Sequence, residues 1–172
     1  KRRTWRKLHI ALCAESQSVV GAILTTNNVG DSEVFGNLLD TIDAPIASVS
    51  GDGAYDTVDC YDACDCYGAE PIIPPRKRAK KQVNKEGDDD FSLKKRDLAL
   101  DIIESYGGDS EGRKLWKKES GYHRRSLVET GFFRLKTLFG SQLKSRTFPN
   151  QAKEAFARCV ALNKMTRLEM PD

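Results

Sequence analysis

The stretch GYHRRSLVETGFFRLKTLFG, residues 121–140, predicts a long helix over about 122–139. On a wheel advancing about 100° per residue from Tyr122, Arg125 falls at about 300°, Glu129 at about 340° and Lys136 at about 320°. The four polar side chains thus share one face. A carboxylate flanked by two cations and a tyrosine has two readings. One is an intrahelical Arg125–Glu129 pair, worth a few tenths of a kcal/mol. The other is a metal-binding carboxylate bordered by cations that contact phosphates. A second motif is VSGDGAYD, residues 49–56, where an apolar strand runs into Asp52, then glycine, then a helix. The carboxyl end of a sheet strand is where α/β folds place ligands, which makes Asp52 a candidate Mg²⁺ ligand. The alternative is a turn aspartate that caps the helix or closes an Asx turn.

Outward from these motifs the chain alternates strands and helices. In TWRKLHIALC, residues 4–13, Leu8, Ile10 and Leu12 fall on one side and Trp5, Lys7 and His9 on the other, the pattern of a half-buried strand. The β-branched run 18–25 follows across a turn at Ala14–Gln17, so an antiparallel hairpin is predicted. Asp31-Ser32 offers an N-cap to a helix carrying Val34, Leu38, Leu39 and Ile42, which Ala44-Pro45 ends. A strand over 46–50, a helix over about 55–67 and a strand over 70–74 come next. Asp56, Asp59, Asp62 and Asp65 recur every third residue and read as an acidic, solvated helix face. Residues 76–91 read as an exposed loop or linker. Helices are expected over about 92–105 and 149–168. The order implies a mixed α/β sheet domain with a helical C-terminal section.

At 172 residues and 39% hydrophobic the chain can bury one core of ordinary size, and no stretch approaches the roughly 18 apolar residues that span a bilayer. The start Lys1-Arg2-Arg3 leads into Thr-Trp-Arg-Lys rather than an apolar segment, so no signal peptide is read. With no initiating Met, the chain reads as a piece of a longer protein. The net charge of +3 conceals a division. Residues 1–7 carry five cations and no acid, 8–75 carry eleven acids and no Lys or Arg, and 76–172 are net +9. Such segregation favours a polyanion such as nucleic acid as partner. Five cysteines, an odd count, argue for reduced thiols. Cys60, Cys64 and Cys66 match no zinc-ligand spacing and read as small buried helix residues.

The spacing Tyr122-x2-Arg125-x3-Glu129-x6-Lys136 resembles the Y-R-E-K signature of bacterial insertion-sequence DDE transposases. SGDGAYD resembles the segment bearing that family's second acid, which places Asp52 there. KRRTWRKLHIAL resembles the strand that follows the first catalytic Asp, TTNNVGDSE the run into the first helix, and SGYHRRSLVET the run into the catalytic helix. The resemblance covers essentially the whole chain as one domain, 1–172. It implies a ribonuclease-H-like fold, a five-stranded mixed sheet flanked by helices, with a short basic insertion over about 76–120. It implies a polynucleotidyl transferase that cleaves and joins DNA strands with two Mg²⁺ ions, Mn²⁺ substituting, held by Asp52 and Glu129. Tyr122, Arg125, Lys136 and Trp116 would contact DNA, the last by stacking on a base. The partners implied are double-stranded DNA, as transposon ends and target, and a second copy in the full-length protein. The setting implied is a bacterial cytoplasm, at the nucleoid.

The family uses three acids, the first on a strand that precedes KRRTWRKLH. Glu15 falls in the hairpin turn and Asp31 reads as a cap, so this chain is expected to carry two of the three and to be inactive alone. Two alternatives stand beside this reading. One is a non-catalytic DNA-binding remnant, which the missing Asp keeps open. The other is a junction nuclease of the same fold, which the Y-R-E-K spacing disfavours.

Overall fold

A computed structural model describes residues 5–81 and 91–168, with side chains in the helix after residue 90 described from Lys95 onward. The elements run β1 (Arg6–Leu12), β2 (Val19–Thr26), a 3-10 turn (Ser32–Val34), α1 (Phe35–Leu39), β3 (Ser48–Ser50), a 3-10 turn (Gly53–Tyr55) and α2 (Val58–Cys66). They continue with β4 (Glu70–Ile72), α3 (Phe91–Ser105), α4 (Glu111–Glu119), a 3-10 turn (Tyr122–Ser126), α5 (Leu127–Phe139) and α6 (Phe148–Arg167). The architecture is mixed α/β. The four described strands form two pairs, β1–β2 antiparallel and β3–β4 parallel. Among the described residues no helix is long and apolar enough to cross a membrane. The chain forms two compact units, one of residues 1–43 with 126–172 and one of 44–125.

In the first unit β1 and β2 make the expected hairpin. Its turn is closed by Cys13 N–H to the Ser18 carbonyl and Gln17 N–H to the Cys13 carbonyl, both 2.9 Å, with Gln17 in the left-handed region at φ +53°. Leu8, Ile10 and Leu12 pack with Val19 and Ala22 against Val128, Phe132, Leu135 and Phe139 of α5 and Cys159 and Leu162 of α6. Each large apolar side chain buried there contributes about 1.5–3 kcal/mol. The register slips between Ala11 and Leu12, next to Val19. The Asn163 amide on α6 grips Val19 there, donating to its carbonyl at 2.7 Å and accepting from its N–H at 2.8 Å.

The other face of the hairpin is covered too, where alternation predicted a half-buried strand. Trp5 is exposed, but His9 is only 7% exposed. A Cβ on Gly21 would lie 2.6 Å from Thr41 Oγ1 and 3.1 Å from the Leu38 carbonyl, so glycine permits the segment around α1 to close on β2. Asp31 does not cap the helix. It has helical backbone angles itself and no side-chain cap bond. Its carboxylate instead lies 3.3 Å from His9 Nδ1 and 3.5 Å from Lys7 Nζ. Burial pushes the His9 imidazole down in pKa, and Asp31 opposes the shift. The helix is short, with Gly36 and Asn37, both poor helix formers, in its middle.

In the second unit β3, α2 and β4 form a β-α-β turn with Val49 opposite Pro71. Cys60, Tyr61 and Cys64 are buried on one face of α2. Cys66, expected inside, is exposed, because two residues beyond Cys64 the helix has rotated it about 200° away. The acidic face is also corrected. Asp59 and Asp62 are exposed and Asp65 pairs with Lys95 at 3.5 Å, but Asp56 precedes the helix and its side chain is 1% exposed. Asp56 accepts from Arg96 Nε at 2.8 Å, Arg76 N–H at 2.7 Å and the Tyr61 hydroxyl at 3.1 Å. Burial, and then the Asp56 charge, raise the Tyr61 pKa far above its ordinary value.

The segment after β4 is therefore no free linker where it is described. Arg76 is tied to Asp56, the Lys80 carbonyl accepts from Arg96 at 3.1 Å, and Lys81 pairs with Asp101 and, at 3.9 Å, with Glu104. Residues 82–90 lie outside the described residues. The helix α4 was not foreseen. It packs on α3 through Gly112, where a Cβ would run into the Ile103 carbonyl. Ala99, Ile103 and Trp116 form the local core, joined by Ile72, Ile102 and Tyr122.

Candidate active site

Asp52 stands where β3 ends. Gly51 N–H still donates to the Ile72 carbonyl at 3.3 Å, and Asp52 is extended (φ −84°, ψ −179°) before the 3-10 turn Gly53–Tyr55. Its Oδ1 accepts from Ala54 N–H at 2.8 Å. The turn reading of this aspartate is the one on display. It caps the turn, and the capping bond holds its half-buried carboxylate at the carboxyl end of a parallel strand.

Glu129 is exposed in the first turn of α5, where the helix dipole favours an acid. It faces outward because Val128, Phe132, Leu135 and Phe139 take the inner face. Gly131 is buried there too, and a Cβ on it would lie 2.7 Å from Leu12 Cδ1. Lys136, two turns on and exposed, shares the outer face with Glu129. Between them stands Phe133, 68% exposed, a neighbour that the four-residue spacing gave no reason to notice.

Tyr122 and Arg125 do not continue that wheel. They sit on the 3-10 turn Tyr122–Ser126, whose step is about 120° per residue, and belong to the unit of residues 44–125. There they form their own assembly. Lys117 Nζ lies 5.1 Å and Arg125 Cζ 5.7 Å from the Tyr122 ring centroid. Each such contact contributes about 0.5–1 kcal/mol at an exposed site and steers the cation. Trp116 lies 6.3 Å from the same ring, tilted by 42°. It is only 6% exposed and packed on Ala99 and Ile103, so its ring serves the core and supports Tyr122 rather than standing open to a base. Lys117, next to Trp116 in the sequence, reaches over Tyr122, a neighbourhood that the break at Gly121 hides from periodicity.

Asp52 and Glu129 suit a hard divalent cation in kind. They do not suit a metal pair in number. Among the described residues no group of three or more His, Cys, Asp or Glu side chains is placed to hold an ion.

No solved structure matches the chain. Among protein families, the transposase DDE domain matches residues 1–164. With a strand-end aspartate, a glutamate heading an amphipathic helix and that match over nearly its whole length, the chain belongs to the transposase DDE domain family, polynucleotidyl transferases whose substrate is DNA.

Proposed function

We propose that residues 1–172 are the catalytic domain of a bacterial insertion-sequence transposase. It would cleave DNA at transposon ends and transfer the strand on a ribonuclease-H-like sheet, with 76–120 as its insertion. The observation that carries this reading is the position of Asp52 at the carboxyl end of a parallel β3–β4 pair, in a chain that matches the transposase DDE domain over residues 1–164. Asp52 and Glu129 are read as the second and third acids of the family's triad.

Joined by a further acid, Asp52 and Glu129 would help to hold divalent Mg²⁺ or Mn²⁺, which would supply activation of a water or a DNA 3′-OH and offset charge on the leaving oxygen. The chain's other residues position the substrate. Arg125 offers a planar fork suited to bidentate phosphate contact and Lys136 a compact charge. Tyr122 donates a hydrogen bond to phosphate or stacks on a displaced base. The full-length protein would work as a dimer.

The test is metal-dependent nicking of supercoiled plasmid. Residues 1–172 alone should leave it intact with either metal, because two carboxylates leave a metal pair under-coordinated. A longer protein that adds the first Asp and an end-binding region should nick. In that protein Glu129→Gln should abolish nicking with DNA affinity equal or higher, and Arg125→Ala or Lys136→Ala should weaken binding. Metal-dependent cleavage by residues 1–172 alone would refute the assignment of the triad.

A further inference from the structure

We infer that the unit of residues 44–125 carries a phosphate-binding cleft of its own, with Lys77, Lys114 and Lys117 holding the DNA backbone beside the Asp52 turn. This rests on DNA being the substrate, and it adds contacts that the Y-R-E-K spacing does not include. An open cleft of about 450 Å³ lies between the segment after β4 and α4, lined by Lys77, Arg113, Lys114 and Lys117 with Asp109 and Ser110. A second, of about 350 Å³, shares Lys77, Arg113 and Lys117 and reaches Gly53 and Tyr122. The two therefore join into one basic path that ends at the residue after Asp52.

The walls are built by Arg113. Its Nε donates to Asp109 at 2.7 Å, one terminal nitrogen to the Arg76 carbonyl at 3.0 Å, and the other to the Pro75 carbonyl. With its fork committed, Arg113 fixes the segment after β4 against α4 and offsets the charge of Asp109. Lys77, Lys114 and Lys117 are exposed along the path. Lys114 meets Glu111 at 2.8 Å, but that pair is exposed on both sides, so it is worth little and yields readily to a phosphate. Lys117 is aimed by the Tyr122 ring, which also lines the path. Ammonium groups spread along an open, aromatic-lined path match a chain of phosphates rather than one compact anion.

The test is fluorescence anisotropy of a labelled duplex of mixed sequence, titrated with residues 1–172 over a series of salt concentrations. Each phosphate contact contributes about 0.9 to the slope of log K against log salt. Lys77→Ala/Lys114→Ala/Lys117→Ala should lower that slope by about 2–3 and weaken binding at least about tenfold at low salt. A charge-matched control, Lys144→Ala/Lys153→Ala/Lys164→Ala, removes exposed cations outside this unit and should change the slope far less. Equal losses in both triple variants would overturn the cleft while leaving DNA as substrate. Absence of salt-dependent binding by the unaltered chain would remove both.

Discussion

Replacing Asp56 with alanine probes the buried ion pair with Arg96 in the unit that carries Asp52. The Asp56 side chain is 1% exposed and its partner Arg96 13% exposed. Truncation leaves three donors without their acceptor: the Arg96 Nε–H, the Arg76 N–H and the hydroxyl of Tyr61, itself 2% exposed. Breaking a buried ion pair from one side costs about 3–5 kcal/mol, and each buried polar group left unpaired about 1–3 kcal/mol. These costs overlap, since water can reach Arg96, so the expected loss is about 3–5 kcal/mol. That is a large fraction of the roughly 5–15 kcal/mol that holds a domain together. Asp56→Asn should also destabilise, by at least about 1 kcal/mol, because an amide nitrogen replaces an oxygen that must accept. Urea unfolding followed by tryptophan fluorescence reads the effect. Trp116 lies in this unit's core, whereas Trp5 is 67% exposed, so the burial-sensitive signal belongs to Trp116. A loss under about 1 kcal/mol for Asp56→Ala would refute the claim that this carboxylate organises the unit.

The remaining predictions concern the two units separately. Glu154 accepts from the Lys144 and Ser145 N–H groups and from Arg158 at 2.6 Å, and the backbone bonds first of all lower its pKa to about 2. Its stabilisation is therefore present above the ordinary value of 4.5 and lost as pH falls toward 2. The Tm gap between the unaltered chain and Glu154→Gln should narrow across that window, and a gap independent of pH would contradict the assignment. Gly112→Ala should cost about 1–3 kcal/mol in urea unfolding, because its Cβ meets backbone that cannot move aside. An unchanged midpoint would show that α3 and α4 do not pack through this glycine.

What the sequence revealed followed from period. Leu8, Ile10 and Leu12 alternate on β1, Pro149 opens α6, and β3 and β4 flank α2, so these elements were legible within a few residues. The same periodic reasoning failed where the backbone changes its step. The wheel from Tyr122 assumed 3.6 residues per turn, but Tyr122–Ser126 is a 3-10 turn, so only Glu129 and Lys136 remain aligned. The three-residue spacing of the aspartates concealed Asp56, whose partner Arg96 lies 40 residues away and leaves no local trace. The helix α4 was missed because EGRKLWKKE shows a single apolar pair, and its packing depends on Gly112, which argues against helix in isolation. Asp52 was legible because a strand followed by Gly-Asp-Gly signals a turn whichever role the carboxylate plays.

The central claim is that Asp52 and Glu129 are each required for strand cleavage. Nicking of supercoiled plasmid by a nicking-competent protein that contains these residues, with Asp52→Asn and Glu129→Gln introduced one at a time, measures this directly. The account predicts that either substitution alone abolishes nicking while duplex binding is retained. Nicking by either variant at the unaltered rate would contradict it.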